Sequence, residues 1–328
     1  MGASRKCHFI LKRKVSNIIL SIIICTHNRA ELVRDAILSV FNQGINMEEE
    51  VLVIDNASTD HTAQVVQELE MRHPTIRYIF EPKVGLSNAR NRGWEEARGK
   101  YVAYIDDDTR LPPHWLQKAL KIISTEAPIA FGGPFYPVYI TPKPAWYKDE
   151  YGSYVFADKV GYMEKEGCIT GGNMFIKQEI LAQLNGFPVE MGMNGKKAAY
   201  AEETQLLRRM IDMYGKCLYF DPELFIYHIV LPQKMRLISH LRIQFASGRD
   251  YQFAIYKGQR LLLRSILHET FNLKLAIVYE IIRTLVRDKK KYPYFQQYIV
   301  DKTSRKVLEL GIQYARLKTY LNHKPDSD

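Results

Sequence analysis

Between residues 18 and 135 the chain alternates two patterns of apolar and polar positions. Short runs rich in β-branched and aromatic residues are typical of buried strands, and longer stretches with apolar side chains at helical spacing are typical of amphipathic helices. This alternation predicts an α/β fold in which helices flank a mostly parallel sheet. The predicted strands span 18–25, 50–54, 76–80 and 101–105, and the predicted helices span 29–43, 59–72 and 86–98.

The pattern becomes irregular after residue 134. Residues 134–167 are rich in Pro, Tyr and Trp, which favours a loop or lid that faces a substrate. Short strands are predicted at 174–177 and 216–220, and a helix is predicted to begin near Ala201. We therefore expect the sheet to resume after this irregular region.

Strand patterns stop after His228, and helices are predicted at 233–256 and 259–287. The second predicted helix carries Leu275 and Ile282 on one apolar face. The expected organisation is a basic N-terminal segment at 1–16, one α/β domain at 17–230 and a helical C-terminal extension at 231–328.

The net charge of +10 is concentrated at the two ends of the chain. Residues 1–14 carry five basic and no acidic side chains, and residues 229–328 carry 19 basic and 8 acidic ones. A basic appendage on a mildly acidic body favours contact between the C-terminal helices and an anionic membrane surface, although a solvated helical surface has the same composition. No zinc finger or aromatic RNA-binding signature is present, which disfavours nucleic acid as a partner.

The composition, 46% hydrophobic and 25% charged, is that of a folded globular protein. The early apolar run at 18–25 is too short to span a bilayer, and no signal-peptide cleavage site follows it. Neither a disulfide framework nor a zinc site is predicted, because the four cysteines lack paired spacing. We expect a cytoplasmic protein that is peripheral on the inner face of the cell membrane. The cysteines are Cys7, Cys25, Cys168 and Cys217.

Three consecutive carboxylates, Asp106, Asp107 and Asp108, follow the predicted strand at 101–105. Alternation along an extended backbone would direct Asp106 and Asp108 to the same side. Hard oxygen ligands in small number suit Mg²⁺ or Mn²⁺ held jointly with a diphosphate. The alternative interpretation is an acidic turn that caps the next helix.

Two further polar groups lie near strand ends. Asp55 ends the second strand, where it can accept hydrogen bonds from a base or ribose or simply form a turn. Arg90 follows the glycine loop that opens the third helix, and a glycine loop before a helix can hold an anion. The guanidinium suits a phosphate or base edge, and the alternative is an ion pair with one of the acids.

No Gly-x-Gly-x-x-Gly turn or Gly-Lys-Ser/Thr loop is present, which disfavours dehydrogenases and P-loop proteins. Taken together and in order, six segments resemble those of family 2 glycosyltransferases. They are 21–29 (SIIICTHNR), 53–60 (VIDNASTD), 85–91 (GLSNARN), 104–108 (YIDDD), 171–175 (GGNMF) and 202–206 (EETQL).

This resemblance covers roughly residues 17–230. It implies an inverting enzyme with a Rossmann-like A-type glycosyltransferase fold that uses Mn²⁺ or Mg²⁺. Asp106 and Asp108 would form the Asp-x-Asp pair, with Asp108 as the direct metal ligand. Gly172 and Asn173 would lie on the side of the donor and acceptor sugars. The implied nucleotide-binding residues are Thr26, Asn28, Arg29, Asp55, Arg90 and Asp106.

Glu203 would be the general base by the same resemblance, with Glu202 as a possible substitute. The family usually has Asp at this position, so Glu203 is a departure. Sugar transfer requires a carboxylate that takes the proton from the attacking hydroxyl, and the departing diphosphate gains charge that a metal neutralises. Both acids also suit the first turn of a helix simply because they complement its dipole.

Other candidates are less specific. His228 can reach the metal or diphosphate, or it can be a packed histidine. Aromatic side chains in the irregular region can stack on sugar rings, or they can belong to the core. These aromatic residues are Trp146, Tyr147, Tyr151 and Tyr154.

The expected activity is transfer of a sugar from a nucleoside diphosphate sugar to a glycan, lipid-linked or polysaccharide acceptor. The resemblance to the family implies UDP as the nucleotide of the donor. Alternative hypotheses are a nucleotidylyltransferase, a non-catalytic nucleotide-sugar-binding protein and a structural protein of the membrane surface. The first usually has a glycine-rich loop after strand one, which is missing here. The intact acids at 106, 108 and 203 disfavour a non-catalytic binding protein. Nucleotide binding would exclude a purely structural protein of the membrane surface.

Overall fold

The structure is a computed structural model of the chain, and it describes residues 17–164, 169–189, 202–256 and 261–322. The predicted N-terminal segment at 1–16 lies outside the described residues, as do Cys7 and Cys168. Among the described residues, no helix is both long and apolar enough to cross a bilayer.

The described strands form one large and one small sheet. They are β1 (Leu20–Thr26), β2 (Glu49–Asp55), β3 (Ile76–Phe80), β4 (Tyr101–Asp106), β5 (Thr109–Arg110), β6 (Ala130–Gly132), β7 (Phe135–Val138), β8 (Gly161–Met163), β9 (Asn173–Lys177), β10 (Leu218–Phe220) and β11 (Ile226–Ile229). The α-helices are α1 (Ala30–Phe41), α2 (Thr62–Arg72), α3 (Leu86–Glu96), α4 (Trp115–Thr125), α5 (Gln178–Gln183), α6 (Glu202–Tyr214), α7 (Leu237–Ile255), α8 (Leu263–Arg283) and α9 (Phe295–Asn322).

The eight-stranded sheet has the order β3-β2-β1-β4-β9-β6-β10-β8. Its first four strands are parallel, and only β9 and β8 run against the others in this described sheet. The predicted mostly parallel sheet is therefore confirmed. A second sheet, β5-β11-β7, packs beside the acidic end of β4 and thereby brings residues 109–110 and 226–229 together.

Side chains alternate between two cores on the two faces of the sheet. Ile22 and Ile24 of β1 pack on the side of α1, whereas Ile23 packs on the side of α3. A Cβ at Gly93 of α3 would lie 2.6 Å from a side-chain carbon of Ile23, so only glycine permits the observed approach of this helix. The period of two along β1 thus fixes which helices cover each face.

The described part of the irregular region, residues 134–164, is more ordered than a free lid. β7 pairs with β11, β8 pairs with β10, and Phe135 bridges Tyr154. Backbone hydrogen bonds to strands that are distant in sequence hold this segment in place. Its irregular pattern of apolar and polar residues does not predict these pairings.

The predicted C-terminal extension consists of α7, α8 and α9, which begin after β11 has ended. A methyl group at Gly248 of α7 would overlap the backbone of α9 at Leu308, and one at Gly311 of α9 would overlap the backbone of α7 at Phe245. These glycines therefore allow α7 and α9 to pack in close contact. The domain boundary near residue 230 stays a prediction, because α7 also contributes to the cavity described below.

Candidate active site

A cavity of about 640 Å³ lies at the carboxyl ends of β1 and β4, the edge where open α/β sheets bind ligands. Its wall combines parts of the chain that are far apart in sequence. Its polar lining includes Thr26, Arg29, Asn56, Arg90, Asp106, Asp107, Asp108, Glu202, Glu203, His228, Lys234, His240 and Gln244.

Asp106 and Asp108 both line the cavity. Strand alternation is not the reason, because β4 ends at Asp106 and Asp108 lies beyond the extended backbone. The Asp106 side chain is 40% exposed, whereas that of Asp108 is buried. His228 Nε2 lies 3.3 Å from one Asp108 oxygen, and Lys234 Nζ lies 3.6 Å from the other. Burial raises the pKa of Asp108, but these two partners and Arg29 outweigh it and hold that pKa well below its usual range.

Asp107 is a buried member of the same cluster that the sequence did not single out. It accepts hydrogen bonds from Thr26 Oγ1 at 2.8 Å and from Arg29 Nη1 at 2.7 Å. Burial and the neighbouring Asp108 raise its pKa to about 6, against the pull of Arg29. The Thr26 hydroxyl and the Arg29 guanidinium therefore hold the acidic turn in place.

The donor set can hold a divalent cation only together with a ligand. Among the described residues, no group of three His, Cys, Asp or Glu side chains is arranged to hold a metal alone. Mg²⁺ usually takes one or two protein carboxylates and completes its shell with phosphate and water oxygens. Asp106 and Asp108 could supply those carboxylates, and His228 Nε2 lies beside Asp108. These residues fit a cation shared with a diphosphate.

On another part of the wall, Arg90 of α3 meets the two acids that open α6. Arg90 Nη1 donates to Glu202 Oε1 at 2.9 Å and lies 3.8 Å from Glu203 Oε2, and Nη2 lies 3.7 Å from Asp106 Oδ1. The Arg90 guanidinium also lies over the Phe187 ring, 5.4 Å from its centroid. The alternative interpretation of Arg90 as an ion-pair partner of the acids thus describes its observed contacts.

The two glutamates differ in environment. The side chain of Glu202 is buried, whereas that of Glu203 is 23% exposed at the cavity. Burial and the adjacent Glu203 carboxylate raise the pKa of Glu202 to about 8, although Arg90 opposes the rise. Glu203 is the more accessible of the two acids, which suits it to contact a ligand.

Residues 21–184, half of the chain, match the family described as Glycosyl transferase family 2. The chain belongs to this family. This glycosyltransferase is 24% identical over 215 residues to the glucosyl-dolichyl phosphate glucuronosyltransferase of Haloferax volcanii, a match that covers 64% of this chain and 68% of the relative. It is also 26% identical over 171 residues to glycosyltransferase AglE of the same organism, covering 52% of this chain and 56% of AglE. The chain thus spans less than two thirds of the length of AglE.

A third relative is the GalNAc(5)-diNAcBac-PP-undecaprenol beta-1,3-glucosyltransferase of Campylobacter jejuni, which is 37% identical over 94 residues, 28% of this chain and 30% of the relative. The match to the Campylobacter enzyme therefore covers less than a third of either protein. It adds to the evidence for the family.

Two solved structures share the fold. Mannosyltransferase PcManGT from Pyrobaculum calidifontis, in complex with GDP-Man and Mn²⁺, superposes with a TM-score of 0.54 at 17% identity over 93% of this chain and 76% of that one. Residues 1–349 of S. aureus TarS in complex with UDP give a TM-score of 0.52 at 14% identity over 90% and 91% of the two chains. The predicted A-type glycosyltransferase fold is therefore confirmed.

In this family 2 glycosyltransferase, two glycines allow close backbone approach to the charged groups. A Cβ at Gly171 would overlap the Arg90 guanidinium, and one at Gly172 would overlap the Asp106 carboxylate. Both glycines line the cavity, and a sugar contact at Gly172 stays a prediction. Their missing side chains leave room for the charged groups, which a single substitution would displace.

Asn173 corrects the prediction of a sugar contact. It is fully buried, its Oδ1 accepts from Trp115 Nε1 at 3.1 Å, and its Nδ2 donates to the Leu224 carbonyl at 2.6 Å. Both ends of the amide are therefore occupied by protein groups, and they tie β9 to α4 and to the segment before β11. The side chain acts as a structural bridge.

Trp146 also differs from its prediction, because it is buried in a small cluster with Val230, Met235 and Val300 and does not line the cavity. Three neighbouring tyrosines of the irregular region do line it, which leaves them as the aromatic candidates for sugar contact. They are Tyr147, Tyr151 and Tyr154.

Asn28 and Asp55 shape the loops beside the cavity and are not among its lining residues. Asn28, at φ +54°, accepts hydrogen bonds from the backbone N–H groups of Thr59 and Asp60 instead of capping α1. Asp55 accepts from Tyr78 Oη at 2.8 Å and from the Ser58 backbone N–H at 2.9 Å. Nucleotide binding by these two residues stays a prediction, and their observed contacts are with protein groups.

The sequence missed two further contributors to the cavity. Lys234 approaches Asp108 from the segment between β11 and α7. One face of α7 supplies His240, Gln244 and Ser247. Their spacing of three and four residues places them on the same side of the helix. Nothing local distinguishes this face from an ordinary solvated one.

Proposed function

We propose that this family 2 glycosyltransferase moves a sugar from a nucleoside diphosphate sugar to an acceptor hydroxyl, with inversion at the anomeric carbon. One observation carries the proposal: a single cavity joins the acids Asp106 and Asp108, suited to a shared cation, to the accessible carboxylate of Glu203. Transfer with inversion needs these two functions in one cavity.

The proposed donor site uses the wall formed by Thr26, Arg29 and the start of α3. Arg29 is 32% exposed on its side chain and pairs with the acidic turn, so it is available to the phosphates of a donor. The Gly85 loop contributes backbone groups at the start of α3, which favour an anion. We infer a UDP-sugar as the first candidate and treat other nucleotides as outcomes of the experiment below.

Asp106 and Asp108 are the proposed ligands for Mn²⁺ or Mg²⁺, with His228 beside them. Such a cation, when bound, neutralises negative charge that develops on the departing diphosphate. The low pKa of Asp108 keeps this carboxylate ionised across the physiological range, which is the form that ligates a hard cation. Lys234 adds a second positive charge beside Asp108.

Glu203 is the proposed general base. Its carboxylate takes the proton of the acceptor hydroxyl while the hydroxyl oxygen bonds to the anomeric carbon and the bond from that carbon to the diphosphate breaks. Because one direct displacement occurs, the configuration inverts. Arg90 and Glu202 act as positioning residues, since their 2.9 Å contact anchors the first turn of α6 beneath Glu203.

The proposed acceptor is a glycan, polysaccharide or lipid-linked glycan. Two of the relatives named above carry a lipid-linked acceptor or a dolichyl phosphate in their names, which supports this class. Tyr151 and Tyr154 offer partly exposed aromatic faces at the cavity for its sugar rings, whereas Tyr147 is buried in the same cluster as Trp146.

The first experiment is a thermal-shift panel of UDP, GDP, TDP, CMP and NAD, each with Mn²⁺ and with chelator. A ligand at about 100 times its dissociation constant stabilises the fold by about 2.7 kcal/mol. We expect one nucleoside diphosphate to raise Tm only when metal is present, and Asp108→Asn to abolish that shift. The control variant Asp35→Asn changes an exposed acid of α1 that lies outside the cavity lining. Metal-independent stabilisation, or none by any nucleotide, would contradict the proposed donor site.

A further inference from the structure

An apolar stripe runs along the outer surface of α8. Its members within the helix recur every three or four residues and are each at least 50% exposed, so they form one face of the helix. The stripe consists of Leu267, Phe271, Leu275, Val278 and Ile282 of α8, and it continues into the 3-10 turn after the helix with Leu285 and Val286. Ile266 alone among the described residues of α8 is buried. A solvated helix rarely leaves a contiguous face of this size uncovered, so the stripe marks an interaction surface.

The two acids of α8 face away from this stripe, toward α9. Glu280 accepts a hydrogen bond from Tyr298 Oη at 2.8 Å and lies 3.8 Å from Lys306 Nζ. Glu269 lies 3.7 Å from Arg316 Nη1. The negative charges of the helix are therefore paired inside the helical layer, away from the stripe.

Basic residues flank the stripe. Residues 262–294 contain seven Lys or Arg and three Asp or Glu residues. Three of the seven form the exposed run Lys289–Lys291, which follows Leu285 and Val286, the most exposed members of the stripe, after Arg287 and Asp288. Apolar side chains bordered by lysines match a surface that is apolar inside and anionic outside, which is the interface of an anionic bilayer.

We propose that α8 lies in the plane of an anionic membrane surface, with the stripe inserted at the headgroup boundary and Lys289–Lys291 on the lipid phosphates. The helix has 21 residues and is too polar to span a bilayer, so an in-plane position satisfies both its length and its charged residues. This inference concerns a surface outside the cavity and stands independently of the proposed reaction.

The test is co-sedimentation of the full chain with vesicles of phosphatidylcholine alone or mixed with phosphatidylglycerol. We expect binding to the anionic vesicles that weakens with salt and falls at least about tenfold in Ile282→Glu, because binding scales with buried apolar area. Replacing Lys289, Lys290 and Lys291 with alanine is expected to weaken binding by about fivefold per lysine. Leu285→Glu, at a position 80% exposed, serves as a second stripe variant.

The matched control is Met71→Glu, which introduces the same charge at a 79% exposed apolar position of α2. Circular dichroism checks that each variant is folded, and the nucleotide thermal shift checks the cavity separately. Equal vesicle binding by Ile282→Glu, Leu285→Glu and Met71→Glu would overturn the proposal, as would equal binding to neutral and anionic vesicles. Light scattering that shows a dimer abolished by Ile282→Glu would also overturn it, because a second copy would then cover the stripe.

Discussion

Replacing Arg90 with methionine removes a buried guanidinium from a cluster of three carboxylates. The side chain of Arg90 is 4% exposed, and it reaches Glu202 at 2.9 Å, Asp106 at 3.7 Å and Glu203 at 3.8 Å. Methionine keeps an unbranched apolar stem of similar length but has no donor or charge. The substitution therefore isolates the polar contacts of Arg90 from its packing.

The magnitude follows from the contacts that are lost. A hydrogen bond to a charged group contributes about 1.5–3 kcal/mol, and the guanidinium over the Phe187 ring adds about 0.5–1 kcal/mol. We expect Arg90→Met to lower the free energy of unfolding by about 3 kcal/mol at pH 9. Arg92→Met is the control on the same helix, because Arg92 pairs with Glu96 at the surface and its loss costs less than about 1 kcal/mol.

The loss should depend on pH through Glu202. Its pKa in the folded protein, about 8, lies above the ordinary value of 4.5. Between these two pH values the folded state keeps a proton that the unfolded state loses, so the free energy of unfolding falls as pH rises through this range. Below pH 7 Glu202 is mostly protonated with or without Arg90, and the substitution then costs about 1.5 kcal/mol, the low end for a hydrogen bond that involves a charged group, because the guanidinium stays charged. Above pH 8 the cost grows, because Arg90 stabilises the ionised Glu202 of the wild type, whereas in the variant the pKa of Glu202 rises further and the folded state must keep this carboxyl protonated.

The measurement is urea denaturation of the ligand-free protein at pH 6 and pH 9, followed by circular dichroism. The variants are Arg90→Met, Glu202→Gln, their double mutant and Arg92→Met. We expect the double mutant to lose the pH dependence and to be more stable than the sum of the single changes, because neither unpaired charge remains. A cost below 1 kcal/mol at both pH values, or simple additivity, would refute the assignment of Arg90 as the anchor of α6.

The remaining predictions concern the base and the buried bridge. Glu203→Gln is expected to lower kcat by about 10²–10⁴-fold while the nucleotide-dependent shift in Tm stays within error, because base catalysis acts in the transition state. Steady-state kinetics measure this loss, and full turnover by the variant would exclude Glu203 as the general base. Asn173→Ala is expected to lower the free energy of unfolding by about 2–4 kcal/mol, since Trp115 Nε1 and the Leu224 carbonyl lose their buried partner. Urea denaturation measures that loss, and a change in nucleotide affinity without loss of stability would restore the ligand role.

The first half of the fold was predictable because its signals are local. Each predicted strand from 18 to 105 lies within two residues of its observed bounds, since buried β-branched runs such as Ile22–Ile24 have few alternatives. The C-terminal extension was predicted to be helical, but the bounds of α9 within it were not, because its buried positions include Gln297, Thr303 and Gln313. These polar positions alternate with buried residues such as Ile299 and Ala315, so no continuous apolar stripe marks the helix in the sequence.

The candidate site was predictable in its chemistry and less so in its geometry. Asp106, Asp108, His228, Glu202 and Glu203 were all singled out from the sequence, and the fold brings them to one cavity. Acids at strand ends and helix starts are recognisable because such positions meet at one edge of an α/β sheet.

Which of these groups touch each other was decided by the tertiary structure alone. Arg90 and Glu202 are 112 positions apart, and no local pattern distinguishes an arginine that holds a carboxylate from one that holds a phosphate. Asn173 and Trp146 became structural residues because the surrounding elements occupy their polar and aromatic surfaces.

The sequence by itself determined the order of strands and helices, the identity of the carboxylates and the apolar stripe of α8, because periodicity and residue chemistry are local properties. Only the tertiary structure decided that the acids of α8 face α9, that Asp107 holds the acidic turn through Thr26 and that α7 covers the cavity. These outcomes depend on contacts between distant segments, and burial and pairing energies act only after the chain has brought those segments together.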